Sequence, residues 1–256
     1  MPDVKLLTLN LHCLVEEDLP TKQTQIANMI DKLDVDIVLF QEVAQSFTSP
    51  KVEDHLRYDN YALVVQRLLA KQNKQYYLYY KAFKESFGKY DEGLAVLSKW
   101  ELTFDVAKCI SNVHEYSDWH TRYVLTHHVT IGKTKLYIAN THFGWSDDTE
   151  RFEDQFDRAK ATLPDDSIGI LAGDFNITPD SKEYHHVMTQ GMIDLFDVEE
   201  FRNAPTHIDY IDVHKKGSRI DYVMSITPLE VTERQIVFDK RRVSDHYGLY
   251  LNVKVK

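Results

Sequence analysis

Apolar and polar positions in the N-terminal part of the chain follow two kinds of pattern. Residues 4–10 are nearly all apolar, which predicts a buried strand. Thr21 has the residue type of a helix N-cap, and the apolar residues after it share one helical face, namely Ile26, Met29, Ile30 and Leu33. Residues 36–40 predict a second strand. A strand, a helix and a strand in this order indicate two parallel strands.

The rest of the chain shows more strand patterns than helix patterns. Strands are predicted over residues 76–83, 94–98, 123–131, 135–141, 168–172, 219–226 and 248–255. Helices are predicted over residues 61–69, over 152–163, and from a capping Ser181 to Gly191. The polar, glycine-bearing residues 87–93 are expected to form a loop. Hairpins mixed with crossovers favour two packed sheets flanked by helices over one doubly wound sheet.

The composition supports one folded domain over residues 1–256. Hydrophobic residues make up 43% of the chain, which is ample for a buried core. No apolar stretch approaches the roughly 20 residues that a membrane helix needs, and no basic and apolar signal pattern begins the sequence. We therefore expect a cytoplasmic protein with no membrane partner. Cys13 and Cys109 have no metal-like spacing and are expected as free thiols.

The net charge of −10 bears on the choice of partner. Binding long nucleic acid usually needs a basic face that releases counterions. The dense basic cluster is Lys240-Arg241-Arg242, with a weaker pair at Lys215-Lys216, so long nucleic acid is disfavoured as a partner. An acidic pocket that faces a phosphorylated substrate implies a metal cation between the two.

Polar side chains stand where the first two predicted strands end. Glu42 follows the strand over residues 36–40, and Asn10 ends the strand over residues 4–10. A carboxylate in that position suits a hard cation, because Mg²⁺ takes few protein oxygens and keeps several waters. The alternative for Glu42 alone is a solvated acid at a strand end, and the neighbouring Asn10 weakens that alternative.

Two histidines and a second acid–amide pair also fall at strand ends. They are His142, His246, Asp174 and Asn176, with Asp245 directly before His246. Two imidazoles beside carboxylates suit phosphoester cleavage, since one can donate to a phosphate oxygen while the other protonates the leaving group. A structural histidine is the alternative for each. Zn²⁺ prefers clustered His or Cys ligands at short spacing, so the mixture of amides and carboxylates favours Mg²⁺ or Mn²⁺.

Asp221 lies inside an otherwise apolar predicted strand. A buried carboxylate needs a partner. A histidine of the pocket would supply one, and Arg219, two residues away on the same face, is the alternative.

These residues, in this order, resemble the motifs of the endonuclease/exonuclease/phosphatase superfamily, whose fold is that of pancreatic deoxyribonuclease. The matching motifs are Leu9-Asn10, Gln41-Glu42, Glu92-Gly93 through Leu97-Ser98, Asn140-Thr141-His142, Gly173-Asp174-Phe175-Asn176, Arg219-Ile220-Asp221-Tyr222 and Ser244-Asp245-His246. They span nearly the whole chain, and their specificity comes from the order of seven motifs that are weak one by one. The resemblance implies an α/β fold with four layers, in which two packed mixed β-sheets are flanked by helices.

The resemblance also implies which residues handle the metal and the water. Glu42 is similar to the main metal ligand, with Asn10 beside it and Asp245 on the metal side. Asp174 resembles the residue that orients or deprotonates the attacking water. Many nuclease members carry an acid where this chain has His12, which puts a second, separate metal position in doubt.

The same resemblance implies roles for four further residues that bind the phosphate, hold another side chain or assist the leaving group. Asn176 resembles a phosphate-binding amide, and His246 is similar to the imidazole that contacts the scissile phosphate, held by Asp221. His142 matches a second histidine of the deoxyribonuclease and sphingomyelinase branches, and is expected to assist departure of the alcohol. The abasic-site endonucleases lack that histidine, which argues against their branch.

A finer resemblance is to a bacterial branch of the superfamily that includes maltose 6'-phosphate phosphatase. It rests on residues 89–93, 118–122, 142–145 and 243–248. It implies that Arg122 binds phosphate and that Trp145 stacks on a sugar ring, and it places Glu92 on the substrate-binding side. The alternatives are a surface salt bridge for Arg122 and ordinary hydrophobic packing for Trp145.

The sequence therefore predicts a Mg²⁺-dependent phosphoric ester hydrolase whose substrate is a small phosphorylated sugar such as maltose 6'-phosphate. A nuclease should show a basic groove, and a sphingomyelinase-type phosphodiesterase should show an exposed apolar hairpin. These two are the alternatives within the same class. A catalytically dead binding module is the alternative of another class, and it would have lost motif residues that this chain retains.

Overall fold

Strands outnumber helices in the computed structural model, which describes residues 3–146, 148–208 and 217–255. The helices are α1 Leu19–Leu33, α2 Tyr61–Lys71, α3 Phe152–Lys160 and α4 Lys182–Thr189. The strands are β1 Asp3–Asn10, β2 Ile37–Ser46, β3 Lys51–Glu53, β4 Leu56–Arg57, β5 Tyr77–Ser86, β6 Tyr90–Ser98, β7 Thr103–Cys109, β8 Tyr123–Ile131, β9 Thr134–His142, β10 Ile168–Asp174, β11 Ile193–Asp194, β12 Asp221–Ser225, β13 Glu230–Val237 and β14 Gly248–Lys254. The pair Lys215-Lys216 lies outside the described residues.

Two six-stranded sheets form the centre of the fold. The first sheet has the order β13-β14-β1-β2-β6-β5, and the second has the order β11-β12-β10-β9-β8-β7. Strands β1 and β2 pair in parallel, as do β9 and β10, and the other neighbours in both sheets are antiparallel. The predicted parallel pair around α1 and the predicted pair of mixed sheets are both confirmed.

Three apolar cores separate four layers. One core lies between the two sheets and includes Leu6, Leu39 and Ile170. A second joins the outer face of the first sheet to α1 and α2, and a third joins the outer face of the second sheet to α3 and α4. Leu6 and Leu7 enter different cores because successive strand residues point to opposite faces. Both faces of the central strands are therefore buried, which explains their continuous apolar runs.

Several element boundaries differ from the sequence prediction. Helix α1 begins at Leu19 after Asp18, with Pro20 in its first turn, so Thr21 is inside the helix and is not its N-cap. Proline fits there because the first helical N–H groups have no partner within the helix. The prediction of a loop over residues 87–93 was wrong from Tyr90 onward, where β6 begins; residues 87–89 form the turn of a β5–β6 hairpin.

The strands β7 and β13 were not predicted. Each is an edge strand of its sheet, and much of each is exposed or only partly buried. An edge strand with a solvated face does not need a continuous apolar run, so its sequence resembles that of a polar segment. No helix in the described part of the chain is long and apolar enough to span a membrane.

Polar strand ends converge on one edge of the two packed sheets. The parallel strands β1, β2, β9 and β10 point their carboxyl ends to that edge, and the antiparallel strands β12 and β14 begin there. Asp174 lies directly opposite Asp221 and beside His142 in the register. Gly173 permits this close approach, since its φ is +141° and an added Cβ would lie 2.0 Å from Thr141 O.

His127 is a buried histidine of β8 away from that edge. It is 1% exposed, and its Nδ1 has no hydrogen-bond partner among the described residues. Its ring packs against those of Tyr79 and Phe104, with centroid distances of 4.9 and 5.4 Å. Burial lowers the pKa of His127 to about 4.

We expect the buried His127 to make the fold sensitive to acid. Since its pKa is about 4 in the fold and about 6.5 in an unfolded chain, the unfolded chain binds more protons between those values. Stability is then lost as the pH falls from about 6.5 through 4. Thermal unfolding at pH 7 and pH 5 should show a smaller loss of Tm for His127→Phe than for the wild type. The exposed His185→Gln should behave like the wild type, and an equal loss in all three proteins would contradict the assignment.

Candidate active site

The residues singled out in the sequence surround one cavity of about 560 Å³ at the shared strand edge. Those that line the cavity are Glu42, Glu92, Arg122, His142, Trp145, Asp174, Asn176, Asp245 and His246. Asn10 and Asp221 stand directly behind, hydrogen-bonded to lining residues. The structure thus brings together every predicted site residue, from strands of both sheets and from the loops beside them.

Asp174 lies in the centre of the site at the end of β10. Its Oδ2 accepts a hydrogen bond of 3.0 Å from Asn10 Nδ2, and its Oδ1 accepts one of 3.0 Å from the backbone N–H of Asn176. The Nε2 atoms of His142 and His246 each lie 3.6 Å from Oδ2. Burial raises the pKa of Asp174 to about 7, against the effect of the His246 charge. A carboxyl group with a pKa near neutrality is suited to accept a proton.

His246 is held by Asp221, as one of the two predicted alternatives had it. His246 Nδ1 lies 2.8 Å from Asp221 Oδ2, which turns Nε2 toward Asp174. Arg219 is not the partner of Asp221, because its guanidinium binds both carboxylate oxygens of Asp194 at 2.7 and 2.8 Å. Asp221 is also the first residue of β12 and does not lie in the strand interior.

The charges around His246 favour its protonated form. Burial alone would lower its pKa, but the carboxylates of Asp221 and Asp174 raise the pKa of His246 to about 10. His142 is affected in the opposite direction, because burial and the charges of Arg122 and Lys84 hold its pKa well below the usual 6.5. The site therefore combines one imidazolium with one neutral imidazole.

Asn176 lies beside His142 and has an unused acceptor. Its Nδ2 donates to Phe143 O at 2.9 Å and lies 3.2 Å from His142 Nε2. Its Oδ1 is buried and has no partner among the described residues. A buried acceptor of this kind needs a donor from water or from a bound ligand. Asn176 also has a left-handed backbone with φ of 53°, which an asparagine tolerates better than most residues.

Glu42 stands on the other side of the cavity, on a bulge inside β2. The strand continues to Ser46, so Glu42 does not end it; the pairing with β6 shifts between Phe40 and Val43, and Glu42 has φ of 49°. Asn10 Nδ2 donates to Glu42 Oε1 at 2.9 Å, while Asn10 Oδ1 accepts the His12 N–H at 3.0 Å. Asn10 therefore presents its amide N–H groups to the two carboxylates.

The negative charge around Glu42 fits a cation. Burial and the charge of Glu92 raise the pKa of Glu42, and the charge of Asp245 adds to the effect. Oxygen atoms on clustered carboxylates are the ligands that Mg²⁺ and Mn²⁺ prefer. Glu42 is thus the residue that would hold the metal, with Asp245 close by.

Lys84 and Cys13 also belong to the site, although sequence reasoning assigned neither to it. Lys84 Nζ lies 3.0 Å from Glu92 Oε1, and both side chains are buried. Cys13 Sγ lies 3.5 Å from Glu42 Oε2 and 3.3 Å from Glu92 Oε2. In the sequence, Lys84 follows the predicted strand over residues 76–83 and resembles a solvated lysine, so its burial in β5 could not be predicted.

His12 occupies the place where many nucleases carry an acid. Its Nδ1 lies 2.6 Å from Glu16 Oε1 and 3.6 Å from Asp245 Oδ1. Burial would lower the pKa of His12, but the hydrogen bond to Glu16 and the charge of Asp245 raise it above the usual 6.5. This corner of the site is therefore occupied by a histidine already paired with two acids.

The mouth of the cavity combines a buried arginine with exposed aromatic rings. Arg122 is 3% exposed and donates from Nη1 to Trp119 O at 3.1 Å, so a surface salt bridge is excluded. Its buried Nε has no partner among the described residues. Trp145 is 43% exposed, which differs from ordinary hydrophobic packing, and Trp119 and Phe87 are exposed nearby.

His207 is a fourth imidazole of the site, after His12, His142 and His246, and the sequence did not reveal it. Its ring centroid lies 4.8 Å from that of His246 and 6.5 Å from that of Trp145. It follows Pro205-Thr206 outside any strand, where the apolar pattern gave no signal. His207 and Trp145 together form one wall of the cavity.

Asn140, which precedes His142 in one motif, connects the two sheets behind the site. It belongs to β9, and its Nδ2 donates to Phe40 O of β2 and Ala95 O of β6, both at 3.0 Å. Its Oδ1 accepts from Gln41 Nε2 at 2.7 Å. The role of Asn140 is therefore structural, since its amide is fully used by the other sheet.

Comparisons with known proteins agree with this fold. The sequence profile of the Endonuclease/Exonuclease/phosphatase family matches residues 7–246. No curated protein sequence matches the chain.

Three solved structures show the likeness in fold. An endonuclease/exonuclease/phosphatase family protein from Leptotrichia buccalis C-1013-b has a TM-score of 0.89 at 24% identity, over 98% of this chain and 100% of that chain. The endonuclease/exonuclease/phosphatase from Bacteroides vulgatus has a TM-score of 0.73 at 15% identity, over 100% of both chains. The TDP2 of D. rerio, complexed with single strand DNA product, has a TM-score of 0.70 at 18% identity, again over 100% of both chains.

Proposed function

Because the chain belongs to the endonuclease/exonuclease/phosphatase family, we propose that it hydrolyses a phosphate ester with the help of a bound divalent cation. The observation that carries the proposal is the buried chain of polar groups from Asp221 through His246 to Asp174. Asp221 fixes the imidazole at 2.8 Å, and His246 Nε2 lies 3.6 Å from Asp174 Oδ2 across the floor of the cavity. A dead binding module has no need for such buried and coupled charges.

Glu42 is the residue that would hold the cation, with Asp245 on the same side. Their carboxylate oxygens suit Mg²⁺ and Mn²⁺ equally by type, and Mg²⁺ is our proposal. A bound cation of this kind supplies neutralisation of charge on the phosphoryl oxygens. Asn10 holds Glu42 and Asp174 in place, since its Nδ2 donates to both carboxylates.

Asp174 is proposed to align and deprotonate the attacking water. The distance from Asp174 Oδ2 to the Nε2 atom of each histidine is 3.6 Å, which is longer than a direct hydrogen bond. A water beside such a pair can contact the carboxylate and the imidazole at the same time. Two hydrogen bonds fix the orientation of the Asp174 carboxylate. Asn10 donates to Oδ2, and the backbone N–H of Asn176 donates to Oδ1. The water proton then passes to Asp174 as its oxygen attacks phosphorus.

His246 and Asn176 are proposed to bind the phosphate. The imidazolium of His246 offers a charged N–H donor to a phosphate oxygen, where charge grows during attack. Nδ2 is the donor of the Asn176 amide and the atom that would bond a phosphate oxygen, while Oδ1 would accept from a water or from a hydroxyl group of the substrate. His142 is neutral in this site, which assigns it hydrogen bonding with Asn176 and leaves His246 as the proton donor for the departing alcohol.

A small phosphorylated sugar is the proposed substrate. A net charge of −10 disfavours long nucleic acid, and the cavity of about 560 Å³ has the size of a small-molecule site. The exposed rings of Trp119 and Trp145 offer faces on which a sugar ring can stack, and Arg122 contributes a buried cation. Glu92 lines the cavity, and its Oε1 is paired with Lys84 at 3.0 Å.

We expect purified protein with Mg²⁺ to release phosphate from disaccharide phosphates faster than it nicks plasmid DNA at low salt. The reason is that the cavity holds a small polar molecule, while binding of a duplex depends on phosphate contacts along a basic face. Parallel assays with sugar phosphates, nucleotides, sphingomyelin and plasmid DNA, each with Mg²⁺ and with Mn²⁺, measure this directly.

The outcomes separate the substrate from the chemistry. DNA nicking above phosphate release would replace the sugar with a nuclease substrate, and phosphocholine release would replace it with a lipid. Absence of turnover on every phosphate ester, in protein that binds Mg²⁺ by calorimetry, would contradict the enzyme assignment itself.

A further inference from the structure

The thiol of Cys13 lies between two carboxylates at the base of the cavity. Its Sγ is 3.5 Å from Glu42 Oε2 and 3.3 Å from Glu92 Oε2, and the side chain is fully buried. One ligand atom from each of the three residues lies within 4.8 Å of the other two. A thiol has a single proton and cannot satisfy both carboxylates at once. Asn10 donates to the other oxygen of Glu42, and Lys84 and Ser86 bond Glu92, so the sulfur faces one oxygen of each carboxylate in a cluster that already has other donors.

The two sulfur–oxygen distances are compatible with a tetrahedral metal site that contains sulfur. With Zn–S bonds of about 2.3 Å and Zn–O bonds of about 2.0–2.2 Å, a sulfur and an oxygen on one tetrahedral ion lie roughly 3.5–3.7 Å apart. The observed distances of 3.5 and 3.3 Å differ from that range by only a few tenths of an ångström. Mg²⁺ takes oxygen ligands and has little use for a thiolate, so the sulfur distinguishes the kind of cation.

The charge of the cluster also calls for a cation. Glu42 and Glu92 bring two negative charges, and Lys84 compensates one of them through Glu92 Oε1 at 3.0 Å. Glu92 Oε2 is left facing Cys13. Glu42 and Glu92 both line the cavity, so a cation bound here is open to water and substrate on that side. Three protein ligands and one open position are the pattern of accessible Zn²⁺ sites.

We propose that Cys13, Glu42 and Glu92 form a binding site for a thiophilic divalent cation of the Zn²⁺ class. The thiol proton leaves to solvent as the sulfur–metal bond forms, and the fourth position faces the cavity. Glu42 and Glu92 follow Cys13 by 29 and 79 positions along the chain, so the short ligand spacing by which zinc sites are recognised is absent. The consequence for catalysis rests on the proposed function: because Glu42 is shared, a Zn²⁺ ion bound here competes with Mg²⁺ for that carboxylate.

The test uses Cd²⁺ and Zn²⁺ on purified protein without substrate. Cd²⁺ bound to a thiolate gives an ultraviolet charge-transfer band, which the wild type should show at one equivalent. Cys13→Ser should abolish the band and weaken Zn²⁺ binding by at least about tenfold in calorimetry, since even outer-sphere partners are worth 10–100-fold. Cys109→Ser is the matched control, because Cys109 is the second free thiol and lies outside this cluster. It should keep both the band and the affinity.

Several results would overturn the site. These are a Cd²⁺ band that persists in Cys13→Ser or disappears in Cys109→Ser, and a Zn²⁺ affinity that Cys13→Ser leaves unchanged. Circular dichroism reports whether the variant folds, and Cys13→Ala serves in the same titrations if the serine does not. In the wild type, excess Mg²⁺ should weaken Zn²⁺ binding, and independent binding of the two ions would reject a shared Glu42. All readouts are direct binding, so they stand apart from any failure of phosphate ester hydrolysis.

Discussion

Asp174→Asn should lower kcat for phosphate ester hydrolysis by about 10³-fold, the usual scale for a lost general base. The amide keeps the shape of the carboxylate and can still accept the hydrogen bond from Asn10, but it cannot take a proton from water. Burial holds the pKa of Asp174 at about 7, so the wild-type group is poised for that transfer near neutral pH. Steady-state release of phosphate with Mg²⁺ measures the effect, and Tm measures the fold.

Asp105→Asn is the matched control for this prediction. Asp105 pairs with His128 at 2.8 Å on the edge of the second sheet, which gives it a histidine partner but no contact with the cavity. It should leave kcat unchanged. Normal turnover by folded Asp174→Asn protein would remove Asp174 from the reaction and with it the proposed mechanism.

The second large effect is expected for His246→Gln, which should lower kcat by about 10²–10³-fold, as for the loss of one charged or oriented donor at a developing oxyanion. Glutamine retains an N–H donor but not the positive charge that Asp221 and Asp174 sustain on the imidazole. It also leaves Asp221 as an uncompensated buried charge, which costs about 3–5 kcal/mol of stability. Phosphate release and denaturant unfolding measure the two effects separately.

The double variant His246→Gln/Asp221→Asn separates catalysis from folding. Removing the Asp221 charge should recover most of the lost stability, while kcat stays low because no imidazolium is present. His128→Gln is the control histidine, since its Asp105 partner lies outside the cavity. Recovery of activity in the double variant would mean that His246 acts through stability alone.

The sequence predicted the central strands well and the edges poorly, for one physical reason. β1, β2 and β10 are buried on both faces, so their apolar runs can be recognised without knowledge of their neighbours. β7 and β13 each have a free edge and a solvated side, so they contain many polar residues and lack the apolar run by which a strand is recognised in a sequence. The start of β6 at Tyr90 was read as a loop because its polar, glycine-bearing sequence resembles a turn.

The same distinction applies to the site. His142 and Asp174 could be placed together because the ends of the parallel neighbours β9 and β10 meet at one edge. Glu42 lies on a bulge and His246 precedes an antiparallel strand, so these two depended on the resemblance to a known family, which also assigned the roles. The hydrogen-bond and ion-pair partners of the site residues could not be assigned from the sequence. Asp221 binds a histidine and not Arg219 because Arg219 forms an ion pair with Asp194, a residue of another strand. The sequence does not show that Asp194 lies beside Arg219.

Clusters assembled from distant segments were invisible for a similar reason. Cys13 and Lys84 have no spacing that links them to Glu92, and of the three only Glu92 is assigned to the site by the resemblance. The pairing of β5 with β6 sets Lys84 opposite Glu92, and the backbone bond from Cys13 to Glu42 of β2 holds the segment after β1 beside them. His207 is not adjacent to any predicted strand, so the sequence indicated even less clearly that it belongs to the site.

The amide of Asn140 has a consequence for motion. The first sheet carries Asn10 and Glu42, and the second carries His142 and Asp174, so sliding between the sheets would pull the two halves of the site apart. Three buried hydrogen bonds of 2.7–3.0 Å hold Asn140 to β2 and β6, and breaking each costs about 1–3 kcal/mol. The distances between these side chains of the two sheets are therefore fixed by the protein itself. Adjustment to different substrates is left to the rim, where Phe87, Trp119 and Trp145 stand clear of both sheets.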